Sequence, residues 1–274
     1  MEKVTGKQDE SLRWAAMGVR RFEWGYSQLA NAEDDLQWGS TEFDERVGVV
    51  RNEAGANLYH FMVTRSLKSA TRSFQAAQHL LNAPYGSIPV EILLRAGLLA
   101  SAKALFLLYP RKRKPREARL IQLYRADRSS LDHAVTSELK LVGEEEPNGD
   151  TTQTRPQVIQ ETKIVRDVLD DLLSRGNCEC GDEGCPQYDF ETLRHRIMRL
   201  WWLYSSVAHV NVWHVEKVFE SAPSGAGHTT GDIGLALHDL GWLYAQSVAL
   251  FYEQYGLRER VEPLDLDAGL EGTP

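Results

Sequence analysis

IPVEILLRAGLLASAKALFLLY, residues 88 to 109, decides the fold. Its apolar residues do not keep to one stripe but fall on most sides of a helical wheel. A helix that is apolar nearly all round is buried among other elements. The run carries Glu91, Arg95 and Lys103. A membrane-spanning helix calls for about 18 or more apolar residues with few or no charges. The stretch therefore reads as the central helix of a water-soluble core. Ser87 is placed to cap it, Pro89 is tolerated in its first turn, and Pro110 closes it.

The same helical periodicity extends outward on both sides. Residues 9–36 repeat Leu12, Ala16, Val19, Phe22, Tyr26 and Leu29 at steps of three and four. A second helix is expected over about 54–82, with Leu58, Phe61, Met62, Phe74 and Leu81 inward. It stops before Pro84, because the residue preceding proline is pushed out of the helical region. Pro115 opens a helix reaching about Val142, with Leu120, Leu123, Tyr124 and Leu131 inward. Another covers 156–175, from Val158 and Ile159 through Ile164, Val165, Val168 and Leu169 to Leu172, and Gly176 fits its stop. Asp189 caps a long helix to about 219. A last one spans about 232–255, where LGWLYAQSVALFY (240–252) is too short to cross a bilayer.

No strand alternation survives over a useful length. The expectation is an all-α fold, an antiparallel bundle of six or seven long helices. Residues 1–257 form a single domain in this reading, with an exposed loop at about 143–154, a cysteine loop at 176–188 and a flexible acidic tail over 258–274. The 274 residues suffice for a sizeable core. The net charge of -8 gives no global attraction to nucleic acid or anionic lipid. The N-terminus is polar and lacks the apolar segment of a secretion signal. A cytoplasmic protein is expected, without membrane contact, and in that compartment a structural disulfide is disfavoured.

All three cysteines fall within NCECGDEGCP, residues 177–186. Cys178, Cys180 and Cys185 have a spacing that can wrap one zinc ion, with Gly181 and Gly184 supplying tight turns. Tetrahedral zinc needs a fourth ligand, and His195, early in the next helix, is the candidate. Asp182, Glu183 and Asp189 are oxygen alternatives. His209 and His214 lie about 20 Å or more along that helix, too far to reach. Such a zinc would brace a loop too polar to brace itself. The bland alternatives are an inert loop or a thiol–disulfide pair.

Two further places carry chemistry. LYSSVAHVNVWHV (203–215) sets Ser205 and His209 four apart, on a face shared with Trp202 and Trp213. Helix 88–109 carries Glu91 and Arg95, also four apart. Charges in a core helix are paired or line a cavity. Glu91, Arg95, Ser205 and His209 are thus the candidates for a polar pocket, with a buried Glu91–Arg95 salt bridge as its plainer form. RKRKPREAR (111–119) is the one dense basic run; it is where phosphates or RNA would be held, or else a solvated turn.

VEILLRAGLLASAKALFLLYP with a later LYSSVAH resembles large, mostly uncharacterised helical proteins of actinobacteria. In that pattern an arginine-bearing helix is followed by one carrying serine and histidine. Some relatives resemble the HEPN superfamily, helical bundles that include metal-independent ribonucleases of toxin and defence systems. Their motif is Arg-x(4–6)-His, in which arginine stabilises phosphoryl charge and histidine moves the proton of the ribose 2′-hydroxyl. Arg128 to His133 (RSSLDH) and Arg72 to His79 (RSFQAAQH) match it. His209 departs from it, since Arg199 stands ten residues upstream.

Two functions follow as expectations. The first is an interaction or structural protein with a zinc-braced loop, able to form a homodimer through an apolar helix face. The second is a HEPN-like ribonuclease acting on RNA.

Overall fold

The computed structural model describes residues 2–35, 53–81, 87–141, 159–174, 190–208 and 230–257, with positions 259, 261, 263 and 264. Among the described residues there are seven helices and no strand: α1 (Glu2–Asp35), α2 (Glu53–Leu81), α3 (Ser87–Leu108), α4 (Arg113–Leu141), α5 (Glu161–Ser174), α6 (Phe190–Ala208) and α7 (Thr230–Gln254). This is the all-α bundle that the periodicity calls for. None of these helices is long and apolar enough to cross a membrane.

Helix α3 sits at the centre. It packs against α2, α4, α5, α6 and α7. Leu94, Leu98, Leu105, Leu107 and Leu108 are fully buried, and no residue from Ala104 to Leu108 reaches solvent. Each such leucine contributes roughly 1.5–3 kcal/mol through burial, which a wheel greasy on only one side could not collect.

Cross-helix contacts fix the directions. Tyr59 Oη donates to the Leu107 carbonyl at 3.1 Å, and a Cβ on Gly97 would meet the Phe74 ring, so α2 and α3 are antiparallel. His60 pairs with Tyr255 and Thr71 with Tyr244, so α2 and α7 are antiparallel too. Helices α3 and α7 therefore run the same way. Arg95 reaches Glu161 while Tyr109 reaches the Asp171 carbonyl, which makes α5 parallel to α3. Lys103 to Asp127 and Arg119 to the Phe106 carbonyl turn α4 back. Thr162 with Trp201 and Asp170 with Arg194 turn α6 back against α5. Helix α1 lies along α7 in the same direction, with Trp14 on His238, Gly25 on Tyr244 and Gln28 on Tyr252. The chain thus alternates up and down throughout, and its odd-numbered helices are mutually parallel.

The inward faces of α1 and α2 differ from the periodic reading. Leu12 and Tyr26 are 66% and 50% exposed. The buried line of α1 runs Gly18, Arg21, Phe22, Gly25 and Gln28. Glycines carry no hydrophobic signal, yet they let two helix backbones meet. On α2, Phe61 and Leu81 face solvent, and the core side runs Tyr59, Met62, Val63, Leu67, Ala70, Phe74 and Ala77. Tyr124 of α4 is likewise exposed, whereas Leu120 and Leu123 are buried. Helix α5 begins at Glu161, after Ile159 and Gln160, which are not helical. At the other end Gly256 has φ of 67°, a left-handed stop after α7, and Leu257 and Val261 pack back on the core.

Candidate functional site

Two of the residues expected to form a polar pocket meet. Arg95 Nε donates to Ser205 Oγ at 3.1 Å across the α3–α6 interface. Its Nη2 donates to Glu161 Oε2 at 2.8 Å, from the first turn of α5. The guanidinium lies 4.6 Å over the Trp201 ring, and the Trp201 indole N–H donates to Thr162 at 3.1 Å. Three helices are thus tied by one arginine with 17% of its side chain exposed. Its ion pair is with Glu161, not with Glu91 one turn before it. A spacing of four on a helix favours contact, but a carboxylate on a neighbouring helix can hold the planar fork equally well. Glu91 is 1% exposed, inside the bundle.

This geometry constrains the chemistry. A serine nucleophile needs a neighbour that takes its proton. Arginine carries only donors and stays charged, so it is not that neighbour; the Ser205 oxygen accepts from it and keeps its own O–H to donate. His209 lies outside the described residues, as do Cys178, Cys180 and Cys185 with their loop 176–188, and the loop 143–154. The helix expected to run to about 219 is described to Ala208. His195 is exposed on the second turn of α6. Among the described residues, no three acidic, histidine or cysteine groups gather as a metal site. Of the Arg–His spacings, Arg72 and His79 are both exposed on α2, Arg128 donates to the Tyr124 hydroxyl at 3.4 Å, and the His133 side chain is outside the described set.

A second polar cluster escaped the sequence reading. Asp239 and His238 are fully buried in α7. Arg196 of α6 grips the Asp239 carboxylate through two bonds, 2.8 and 2.9 Å long. His238 Nδ1 lies 3.0 Å from the same carboxylate, while Arg21 of α1 donates to the His238 carbonyl at 3.3 Å. The Trp14 ring stands edge-on to the imidazole at 4.5 Å. Burial lowers the His238 pKa against the raising pull of the Asp239 hydrogen bond. The sign was legible: two polar residues interrupt the apolar run LALHDLGWLY. A fork-like arginine contact with a buried carboxylate is the strong form of such a pair.

The second half of the basic run turns inward, with Arg116 buried and Arg119 half-buried, while Arg111 is exposed. Helices α3, α5 and α7 end at the same pole of the bundle, each presenting the negative end of its dipole. Arg111 pairs with Glu253 at 3.6 Å, and Arg116 donates to the Gln254 amide oxygen and the Pro110 carbonyl. Arg119 pairs with Asp171 at 2.7 Å and lies 4.6 Å over Phe106. Its charges serve as counter-ions to three helix ends, and Lys112 and Lys114 are left at the surface. Beside them His60 Nδ1 meets the Tyr255 hydroxyl at 2.9 Å, and burial together with the charge of Lys68 pushes the His60 pKa down to about 4. Burial raises the Tyr59 and Tyr255 pKa values well above the usual tyrosine value, so both stay neutral.

Comparison of the chain with known family models, with curated proteins and with solved structures found no match in any of the three.

Proposed function

We propose that the protein is a non-catalytic helical interaction module. The observation that carries this reading is the state of Arg95 and Ser205. Both take part in holding α3, α5 and α6 together, and the described partner of the serine oxygen, an arginine, cannot take its proton. The buried Arg196–Asp239–His238 cluster is committed in the same way. Large apolar side chains meanwhile stand at the surface on α1, α2, α3, α4 and α6: Leu12, Phe61, Ile92, Ile121 and Trp202 among them. Of these the exposed Trp202 indole, an amphipathic ring of the kind enriched at interfaces, is the one that suits recognition of another macromolecule.

A zinc-braced loop is part of this proposal. Cys178, Cys180, Cys185 and His195 would hold one ion and pin the connection from α5 to α6. Its support is the gathering of every thiol in the chain just before α6, and an exposed His195 imidazole within reach of that connection. Elemental analysis of the purified protein should give about one zinc per chain, lost with His195→Ala. Metal-free protein with an unchanged melting temperature removes the zinc.

The rival reading is a HEPN-like ribonuclease of a toxin or defence system. Purified protein, incubated with RNA in chelator, is expected to leave it intact. Cleavage that disappears with His79→Ala, His133→Ala or His209→Ala overturns the interaction-module reading.

A further inference from the structure

We infer that the outward surface of the α5–α6 pair docks an acidic protein segment studded with apolar side chains, gripped by Trp202, Arg166 and Arg199. This rests on the interaction-module reading and names the partner class for it.

The placement follows from two bonds. Thr162 with Trp201 and Asp170 with Arg194 bracket the antiparallel α5–α6 seam. Arg166 lies one turn from both Thr162 and Asp170, so it sits on the edge of α5 that faces α6, level with Met198. On α6, Arg199 and Trp202 stand one turn apart on the outward face, away from the buried Leu193, Ile197 and Trp201. Trp202 is 55% exposed although its neighbour Trp201 is 2% exposed. An indole left exposed beside a fully packed one is a large apolar surface that no described residue covers.

The two arginines sharpen the assignment. Arg194 is tied to Asp170, Arg196 to Asp239 and Arg95 to Glu161. Arg166 and Arg199, exposed on the same pair of helices, make no ion pair or hydrogen bond among the described residues. Two guanidinium groups without a partner among the described residues, on the same helix pair as one exposed indole, offer carboxylates a charge-assisted contact beside an apolar anchor, and Trp and Arg are the residues in which binding energy concentrates. Nucleic acid fits less well. Glu161, Asp170 and Glu191 are exposed along the same helices and would oppose a continuous phosphate chain. Successive bases also need successive stacking rings, and among the described residues of α5 and α6 Trp202 is the one largely exposed aromatic. An acidic peptide can place discrete carboxylates between apolar side chains and so avoid both difficulties.

The test uses the whole protein and fluorescence anisotropy of a labelled helical peptide that alternates leucine and glutamate at helical spacing. Saturable binding is expected, weakened about tenfold or more by Trp202→Ala. Arg166→Glu combined with Arg199→Glu should abolish it, while Arg125→Glu, an exposed cation on α4, should leave it unchanged. All these positions are at the surface, so circular dichroism should show the fold intact. Equal binding of a peptide with glutamine in place of glutamate overturns the inference, and so does binding indifferent to both sets of changes. A short uridine RNA bound more tightly, and lost with the same changes, would assign the surface to nucleic acid instead. If the protein cleaves RNA, the module reading itself falls whatever the peptide does. An inert protein that ignores the peptide removes only the docking surface.

Discussion

Gly18 and Gly241 share one crossing point, with the Gly18 carbonyl oxygen 2.7 Å and its Cα 2.9 Å from where a Cβ on Gly241 would stand. From the other side, a Cβ on Gly18 would lie 2.4 Å from the carbonyl carbon and oxygen of Leu237. The obstacles are backbone atoms, which cannot step aside as a side-chain tip can. Gly18→Ala and Gly241→Ala should therefore each lower stability by about 3 kcal/mol, the upper range for overpacking, despite alanine's better helix propensity. Urea unfolding followed by circular dichroism measures it. An unchanged midpoint would mean that α1 and α7 do not touch here.

Acid should loosen the protein well before its carboxylates are protonated. The His60 pKa falls from its ordinary 6.5 to about 4 through burial and then the nearby Lys68 charge. The unfolded chain takes up that proton first. The stability tied to a neutral imidazole is thus complete above about pH 6.5 and drains away as pH falls toward 4, by on the order of 3 kcal/mol at most. His238 shifts in the same direction. Melting temperature against pH should decline across this window, and His60→Asn should flatten part of the decline.

Asp239 has no exposed surface, so its charge depends on Arg196 and His238. Arg196→Leu leaves a buried carboxylate short of its main partner and should cost about 3–5 kcal/mol. Adding Asp239→Asn to that variant should return a good part of the loss, because the amide carries no charge to strand. A double variant no more stable than the single one would show that packing around Arg196, not the ion pair, holds the junction.

How far the fold could be read ahead depended on what each contact is made of. The burial of α3 was legible because its apolar residues outnumber one face. The orientation of α1 was not, because its contact line is built on Gly18 and Gly25, which score as neutral in any hydrophobic pattern. Ser205 and Arg95 were each picked out by composition, a serine and an arginine in greasy helices. Their pairing with each other and with Glu161 was not, since spacing along one helix says nothing about a carboxylate 66 residues away. The surface character of Arg111, Lys112 and Lys114 was legible, but the inward turn of Arg116 and Arg119 was not, because the ends of α3, α5 and α7 converge only in three dimensions.

Ser205→Ala deletes the acceptor for Arg95 Nε while leaving its Glu161 and Trp201 contacts. The expected cost is about 1 kcal/mol, read from denaturant midpoints. Arg95→Ala removes all three contacts and should cost clearly more. Equal effects from the two would show that the serine bond alone binds α3 to α6.

The parallel pairing of α1 with α7 joins two helices far apart in sequence. During synthesis the opening helix leaves the ribosome roughly two hundred residues before its main partner is made, at a rate of about 5–20 residues per second. For that interval of ten seconds or more, Phe22, Gly18 and Gly25 have no α7 to lie against. Premature termination anywhere before residue 230 would release a nascent chain with an open seam, a natural substrate for chaperones and proteases rather than a shortened working protein.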